Sequence, residues 1–582
     1  MRLLLVPVLN LLTLIRTLLG WPLRLLAARD RSPYVRFRLS GDPAYRERPR
    51  ARRLGLLSGQ ARPEPATVTS LEAFREALAL LAKDPRIQGI LLELEDLAVP
   101  PAKRDVLVKL LGDFRAAGKR VVAWAVSVDS LGYQVMCAAD EVLLSPAGRL
   151  ELVGYAAEAL ALGEGLGRVG IQAHFFRRGE YKTMPELFTH PQATDVQRRT
   201  LEGFLDERYT ELVEGVARGR RRSPEQVKAW IDAGPYSARR AAAEGLVDGL
   251  CDEVELPARL GLKRGEAEDD EGVEPMAVYR ARLPWPPVRW RPLRLKPRLA
   301  VVPVSGMIVP GKGGAGLGPE MAGSDAVVKA LRAAGRDRRA KAVVLYVASS
   351  GGSSVASEII LEAVQRVARK KPVIAFVDRV AASGGYMAAL GAREIWATPH
   401  AIVGSIGVFA GKFDFSGLQR MLGVHRTLIT RGETAGIYSS SRGFTEHERA
   451  LMEAEVEETY QSFLEQVAQA RRRTKEEIHA LAEGRVYSGQ RALAVGLVDR
   501  TDGGFEEACA RAMALAQVTG PFDLKTFGEG ERRFSLLRLV LGGASGSGTY
   551  AFCPTAWSLA HLASTRRWLQ VETQALVDEG EA

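Results

Sequence analysis

Two hydrophobic periods alternate along residues 340–480. Val343-Val344-Leu345-Tyr346-Val347 and Pro372-Val373-Ile374-Ala375-Phe376-Val377 are short apolar runs. Uninterrupted runs of this length mark strands buried on both faces. Between them, Val355, Ile359, Ala363, Val364 and Val367 recur at helical spacing and predict an amphipathic helix over 355–370. Ser349-Ser350-Gly351-Gly352-Ser353 predicts a turn before that helix. The second strand is followed by Val380-Ala381-Ala382-Ser383-Gly384-Gly385-Tyr386, a turn of small residues. A short helix is predicted over 386–390, and a strand over Glu394-Ile395-Trp396-Ala397. A long charged helix is predicted over 445–473, with a second helical piece near 474–483. Strands that alternate with helices in this order predict an α/β fold with a largely parallel sheet.

The pattern occurs twice, at an offset of about 253 residues. Asp84-Pro85-Arg86-Ile87-Gln88-Gly89-Ile90 answers Asp337-Arg338-Arg339-Ala340-Lys341-Ala342-Val343. Tyr133 answers Tyr386, Pro146 answers Pro399, Gly154 answers Gly407, and Gly179-Glu180 answers Gly432-Glu433. Gly245-Leu246-Val247-Asp248 answers Gly496-Leu497-Val498-Asp499 at 251. A period this long marks duplicated domains, not a solenoid. The domains predicted are 32–257 and 296–520, joined by a linker over 258–295 that is acidic at first and then rich in proline and arginine. Residues 521–582 repeat nothing, and their glycine-rich stretch 542–548 reads as a loop.

The N-terminus is a separate matter. Residues 3–15 are apolar but stop at Arg16, and a second apolar piece, 17–23, ends at Arg24. A bilayer takes about 20 apolar residues to span. The segment 1–31 therefore fits a membrane span that tolerates Arg16, an interfacial helix, or a signal peptide ending near Ala27-Ala28. Its following arginines, Arg29, Arg31, Arg36 and Arg38, oppose a simple anchor with its N-terminus inside.

Composition adds little to the fold and something to the partners. The chain has 582 residues, 46% hydrophobic and 26% charged, as a globular multidomain protein has. Its net charge is +11, with arginine concentrated in 29–53 and 280–298. Such runs are solvated linkers or contacts to anionic lipid. No zinc-ligand spacing and no RNA-binding signature is present, so neither a metal, a cofactor nor a nucleic acid is expected. The four cysteines form no CxxC, and Cys137 reads as core.

Differences between the repeats carry the chemistry. Ser383 answers Ser130, but Gly384-Gly385 follows the first and Leu131-Gly132 the second. The glycine pair Gly351-Gly352 has no counterpart in the first repeat. Conversely Gly179-Glu180-Tyr181-Lys182-Thr183 faces Gly432-Glu433-Thr434-Ala435-Gly436, so Lys182 stands where the second repeat has Ala435. A serine on a small-residue turn between strand and helix presents its hydroxyl in the open, beside the free N–H groups of a helix start. A lysine serves as its base only if burial lowers a pKa that is otherwise about 10.4. The division predicts one composite site between two domains, with Ser383 as nucleophile and Lys182 as general base and acid. The backbone N–H groups of Gly352 and Gly384 are the candidate oxyanion donors. A packing turn and a solvated lysine are the bland alternatives, and a histidine triad is the chemical rival. None of the seven histidines (His174, His190, His400, His425, His447, His479 and His561) has a distinctive setting.

At these residues the chain resembles the signal peptide peptidase A family, also called protease IV, in its long duplicated bacterial form. The marks are 353–360, Ala382-Ser383-Gly384-Gly385-Tyr386, Gly404-Ser405-Ile406-Gly407-Val408 and Gly179-Glu180-Tyr181-Lys182-Thr183. The resemblance implies a tandem duplication of a Clp protease/crotonase-like α/β domain. It implies a Ser–Lys dyad of Ser383 and Lys182, with Ser405 as a hydroxyl that holds the lysine. It further implies a homotetramer at the bacterial cytoplasmic membrane, its catalytic domains on the outer side. The substrates implied are remnant signal peptides and similar short hydrophobic peptides. The chain departs from the family at Ala348-Ser349-Ser350-Gly351-Gly352, where a proline usually precedes the glycines, and at Thr183-Met184-Pro185. A crotonase-like acyl-CoA enzyme and a non-catalytic scaffold are the competing expectations.

Overall fold

In the computed structural model the described residues are 32–45, 66–262, 273–281, 295–313, 321–528 and 550–552, with six positions between 7 and 15. Most of the apolar segment 1–31 lies outside them, as do the glycine-rich stretch 542–548 and most of the linker. No helix among the described residues is long and apolar enough to cross a membrane. The chain forms two compact units, one of residues 1–156 and 205–295, the other of 157–204 and 296–582.

The first unit is built on β1 (Tyr34–Gly41), β2 (Gly89–Leu97), β3 (Arg120–Asp129) and β4 (Glu141–Glu151), each parallel to the next. The following strand, β5 (Gln172–Arg178), belongs to the second unit. Three two-residue strands complete the first sheet: β6 (Tyr236–Ser237) and β7 (Gly249–Leu250) on β4, and β8 (Glu274–Pro275) on β1. Part of the stretch read as linker is therefore structured, since β8 and the helix Met276–Ala281 belong here.

The second sheet runs through β9 (Arg298–Val309), β11 (Ala340–Ser353), β12 (Val373–Ala382) and β14 (Ile402–Gly404). These neighbours are parallel. The short strands β10 (Met321–Gly323) and β17 (Asp523–Thr526) pair with β9, and β13 (Glu394–Ala397) pairs with β12. On one side β16 (Val486–Ser488) is antiparallel to β14. On the other, β18 (Tyr550–Phe552) is antiparallel to β11, and β15 (Val408–Asp414) carries β5.

The duplication is legible in matched hydrogen bonds. Tyr133 Oη donates to Leu246 O, and Tyr386 Oη donates to Leu497 O. Arg220 grips Asp248 as Arg471 grips Asp499. Each of those aspartates also accepts from a strand N–H, of Val142 and Ile395 respectively. Buried tyrosine hydroxyls and carboxylates need such partners, so the same solution is kept in both copies.

Two expectations need correction. The helix after the first glycine pair is Ser354–Ala368, but Val355 and Ile359 are 60% and 41% exposed. The buried stripe runs through Ala356, Ile360, Ala363, Val364 and Val367, so those two residues sit one position off it. The run Ser349-Ser350-Gly351-Gly352-Ser353 is not a turn between elements. It is the end of β11, which continues beside β9 after a register shift between Ala348 and Gly351.

Candidate active site

β12 runs without a break to Ala382, and Ser383 stands between it and the helix Gly384–Ala389. Ser383 has φ 55° and ψ −120°. A left-handed φ in a residue with a Cβ costs of order 1–3 kcal/mol and persists only where the surroundings hold it. The serine N–H donates to Gly404 O at 2.7 Å, and its carbonyl accepts from Met387 N at 2.9 Å. The strained turn is thus clamped by β14 on one side and the helix on the other. Gly384 has to be glycine, because a Cβ there would sit 2.2 Å from Ser357 Oγ. The same Cβ would be 3.4 Å from Gly352 N, which places the two glycines side by side. As the first residue of its helix, Gly384 has no intrahelical acceptor for its N–H.

The missing proline at the other glycine pair has a replacement. Ser349 Oγ donates to Gly306 O at 2.6 Å and accepts from Gly351 N at 3.1 Å, so a fully buried side chain ties the strand end in place.

Lys182 reaches the serine on a stretch that the sequence repeat assigns to the first copy and that packs within the second unit. β5 pairs with β15 over its whole length, from Gln172 opposite Asp414 to Arg178 opposite Val408. Phe175 and Phe188 from this stretch pack on Phe409 and Phe413 of β15, with ring centroids 5.1–6.1 Å apart. Such ring pairs contribute about 0.5–1.5 kcal/mol each beyond their buried area. After the turn at Gly179, Tyr181 N donates to Glu483 O at 2.8 Å. Beyond the lysine, buried Glu186 takes Arg177 Nη1 at 2.5 Å and Thr194 Oγ1 at 2.7 Å. The lysine is therefore fixed on both sides.

Lys182 Nζ lies 2.7 Å from Ser383 Oγ, and 3.1 Å from both the hydroxyl and the carbonyl oxygen of Ser405. All three residues are closed to solvent, at 1%, 0% and 0% exposure. The expectation of an open serine hydroxyl is corrected here: Ser383 is buried under its partner. Ser405 also has a left-handed backbone, φ 52°, and its N–H donates to Arg485 O at 2.6 Å. Lys182 is the one side chain among the described residues that hydrogen-bonds the Ser383 hydroxyl, and no histidine does.

Ser130, the counterpart of Ser383, is occupied otherwise. Its hydroxyl lies within hydrogen-bond distance of Glu151 O and Val153 O and accepts from Val153 N. Asp129 caps the helix that Ser130 begins.

Sequence reading missed one residue at this site. Gly484, at φ +78°, lies against the lysine backbone: a Cβ there would be 2.5 Å from Lys182 N and 2.9 Å from Lys182 Cβ. An isolated Glu-Gly pair about three hundred residues downstream carries no local signal of that role.

Comparison with known proteins gives the family. The model of peptidase family S49 matches residues 113–263 and again 365–519. Protease 4 of Salmonella typhi is 31% identical over 449 residues, covering 75% of this chain and 71% of that one. Protease 4 of Haemophilus influenzae is 31% identical over 445 residues, covering 74% and 71%. A chloroplastic serine protease SPPA of Arabidopsis thaliana is 27% identical over 468 residues, covering 80% and 68%. Among solved structures, a ClpP1 mutant from Listeria monocytogenes aligns at 14% identity with a TM-score of 0.24, covering 36% of this chain and 94% of that one. The family model falls on both repeats, and the Protease 4 relatives run through most of both chains: this chain belongs to peptidase family S49 and is a serine peptidase.

Proposed function

We propose that the chain is a Ser–Lys endopeptidase that degrades remnant signal peptides and similar short hydrophobic peptides at the membrane. The contact of 2.7 Å between Lys182 Nζ and Ser383 Oγ, in a site closed to water, carries the reading. Burial penalises the ammonium form of a lysine, and the neutral amine is a competent base. Neutral Lys182 takes the hydroxyl proton as Ser383 Oγ attacks the scissile carbonyl. The oxyanion of the tetrahedral intermediate is met by the N–H groups of Gly384 and Gly352. Lys182 then returns the proton to the leaving amine, and takes another from the water that hydrolyses the acyl-enzyme. The Ser405 hydroxyl and carbonyl hold Nζ between these transfers.

The substrate class is supported by the sheet edge beside the dyad. Tyr550–Phe552 lies antiparallel along Gly351, Gly352 and Ser353, as an extended peptide does when it adds to a sheet. Main-chain pairing of that kind accepts many sequences. The apolar N-terminal segment and the family resemblance favour attachment to the bacterial cytoplasmic membrane, with the catalytic units on its outer side, and a homotetramer.

The test compares wild type, Ser383→Ala, Lys182→Ala and Ser130→Ala on a hydrophobic peptide of signal-peptide type. Loss of turnover in the first two, with the third active, is the expected result. Full activity in Lys182→Ala refutes the dyad. Retained activity in Ser383→Ala would favour acyl-CoA chemistry, and an inert wild type would favour the scaffold.

A further inference from the structure

Ser383 and Ser405 share their strain with a third residue beside the dyad. A left-handed backbone outside glycine is rare and costs energy, so it persists only where the surroundings hold it. Ser383 has φ 55°, Ser405 φ 52° and Glu483 φ 54°. Glu483 lies in the turn over residues 482–485, between the helix Lys475–Leu481 and β16. This turn meets the backbone of the lysine on one side and that of Ser405 on the other. Glu483 O accepts from Tyr181 N at 2.8 Å, and a Cβ on Gly484 would stand 2.5 Å from Lys182 N. Gly484 N donates to Ile406 O at 2.8 Å, and Arg485 O accepts from Ser405 N at 2.6 Å. One short turn therefore sets where Lys182 sits relative to the serine that holds its Nζ.

The turn holds two left-handed residues in succession, Glu483 and then Gly484 at φ 78°. Glycine takes that conformation freely and glutamate does not. Glu483 is held by a side chain from elsewhere. Tyr460, on the helix Glu446–Arg471, is 3% exposed, and its hydroxyl accepts from Glu483 N at 3.3 Å. The hydroxyl lies 3.0 Å from His479 Nδ1, which takes its hydrogen when the imidazole is neutral. A buried hydroxyl that both accepts and donates is fixed in direction, and it fixes the N–H it receives. The first repeat lacks the strained turn. At the offset of 251, Tyr460 answers Tyr209, His479 answers Lys228, and Glu483-Gly484 answers Asp232-Ala233. Neither Asp232 nor Ala233 has a positive φ. Both copies have the tyrosine, and the strained turn occurs in the copy that carries the catalytic serine.

We propose that Tyr460 is a positioning residue for the peptidase reaction: by holding Glu483 left-handed it keeps the turn, and with it Lys182 Nζ, against Ser383 and Ser405. It acts through Glu483 and Gly484 and not on the reacting atoms. The inference rests on the Ser–Lys reading. Without the hydroxyl, Glu483 N loses its acceptor and the residue relaxes out of the left-handed region. The turn then backs away from the lysine, and water reaches the amine. A hydrated lysine returns toward its ordinary pKa, so less of it is neutral at a given pH. That consequence separates positioning from a loss of stability.

The experiment uses the full chain and a hydrophobic peptide, at a temperature below the melt of every variant. Tyr460→Phe keeps the buried ring and removes the hydroxyl. Its kcat is expected to fall about 10-fold with KM within about twofold of wild type. The acidic limb of kcat/KM, where Lys182 loses its proton, is expected to move up by about one pH unit. Tyr209→Phe, the counterpart, should change neither. Glu483→Gly takes the left-handed turn without strain, so combined with Tyr460→Phe it should restore most of the lost kcat. Lys182→Ala is measured beside them. If it is inactive while Tyr460→Phe keeps the kcat and the limb of wild type, the tyrosine does not position the dyad. A lower kcat with the limb unmoved and no recovery by Glu483→Gly also overturns the proposal, since it marks lost stability alone. A fully active Lys182→Ala overturns the dyad itself, and Tyr460 then has no base to position.

Discussion

Gly484→Ala should disable the peptidase at a distance from the reacting atoms. The added Cβ would stand 2.5 Å from Lys182 N, 2.8 Å from its Cα and 2.9 Å from its Cβ. Ordinary van der Waals contact begins near 3.4 Å, so the two backbones must part by roughly 0.5–1 Å. The gap between Lys182 Nζ and Ser383 Oγ is 2.7 Å, and proton transfer needs about 2.6–3.2 Å. A displacement of that size takes the amine out of reach and should lower kcat by about 100-fold. The variant also pays for a left-handed alanine at φ +78°, about 1–2 kcal/mol. Gly311→Ala separates the two effects. It has φ +80° and nothing within 4 Å of its Cβ, so it should lose the same stability and keep its activity. The assay is kcat on a hydrophobic peptide beside a thermal melt for each variant. If Gly484→Ala and Gly311→Ala lose activity equally, or neither does, the contact does not position the lysine.

Two further outcomes follow from named contacts. Ser405→Ala removes a hydroxyl 3.1 Å from Lys182 Nζ and leaves the carbonyl contact, so kcat should fall about 10- to 100-fold with KM little changed. Glu448 caps the helix Glu446–Arg471 and is gripped by both terminal nitrogens of Arg442, which hold its carboxyl down from 4.5 to about 2. A folded pKa below the unfolded one stabilises at pH above about 4.5 and loses that stabilisation as pH falls toward about 2. Glu448→Gln should therefore melt lower than wild type at pH 7, and the difference should shrink across that acid range.

How far the site could be read from sequence depended on how local each cause was. The serine turn, the lysine and the strand order were legible, because Gly384-Gly385 after Ser383 and the Lys182/Ala435 difference are visible between aligned repeats. Helix facing was not: Val355 and Ile359 have the right chemistry for a core, and only the packing of Ala356 and Ile360 against the sheet decides which side is buried. The glycines after Ser349 read as a turn because glycine weakens strands. Their pairing with β9 and β18 is a tertiary effect. Least legible was the place of Lys182 in the second unit. That follows from the pairing of β5 with β15, between residues more than 200 positions apart.

The most direct test of the dyad is covalent. Wild type, Lys182→Ala and Ser130→Ala are treated with a serine-reactive phosphonate, and the modified residue is located by peptide mass spectrometry. Ser383 as nucleophile and Lys182 as its base predict label on Ser383 in wild type and in Ser130→Ala, and little or none in Lys182→Ala. Label on Ser130, or label on Ser383 at the wild-type rate without Lys182, would contradict it.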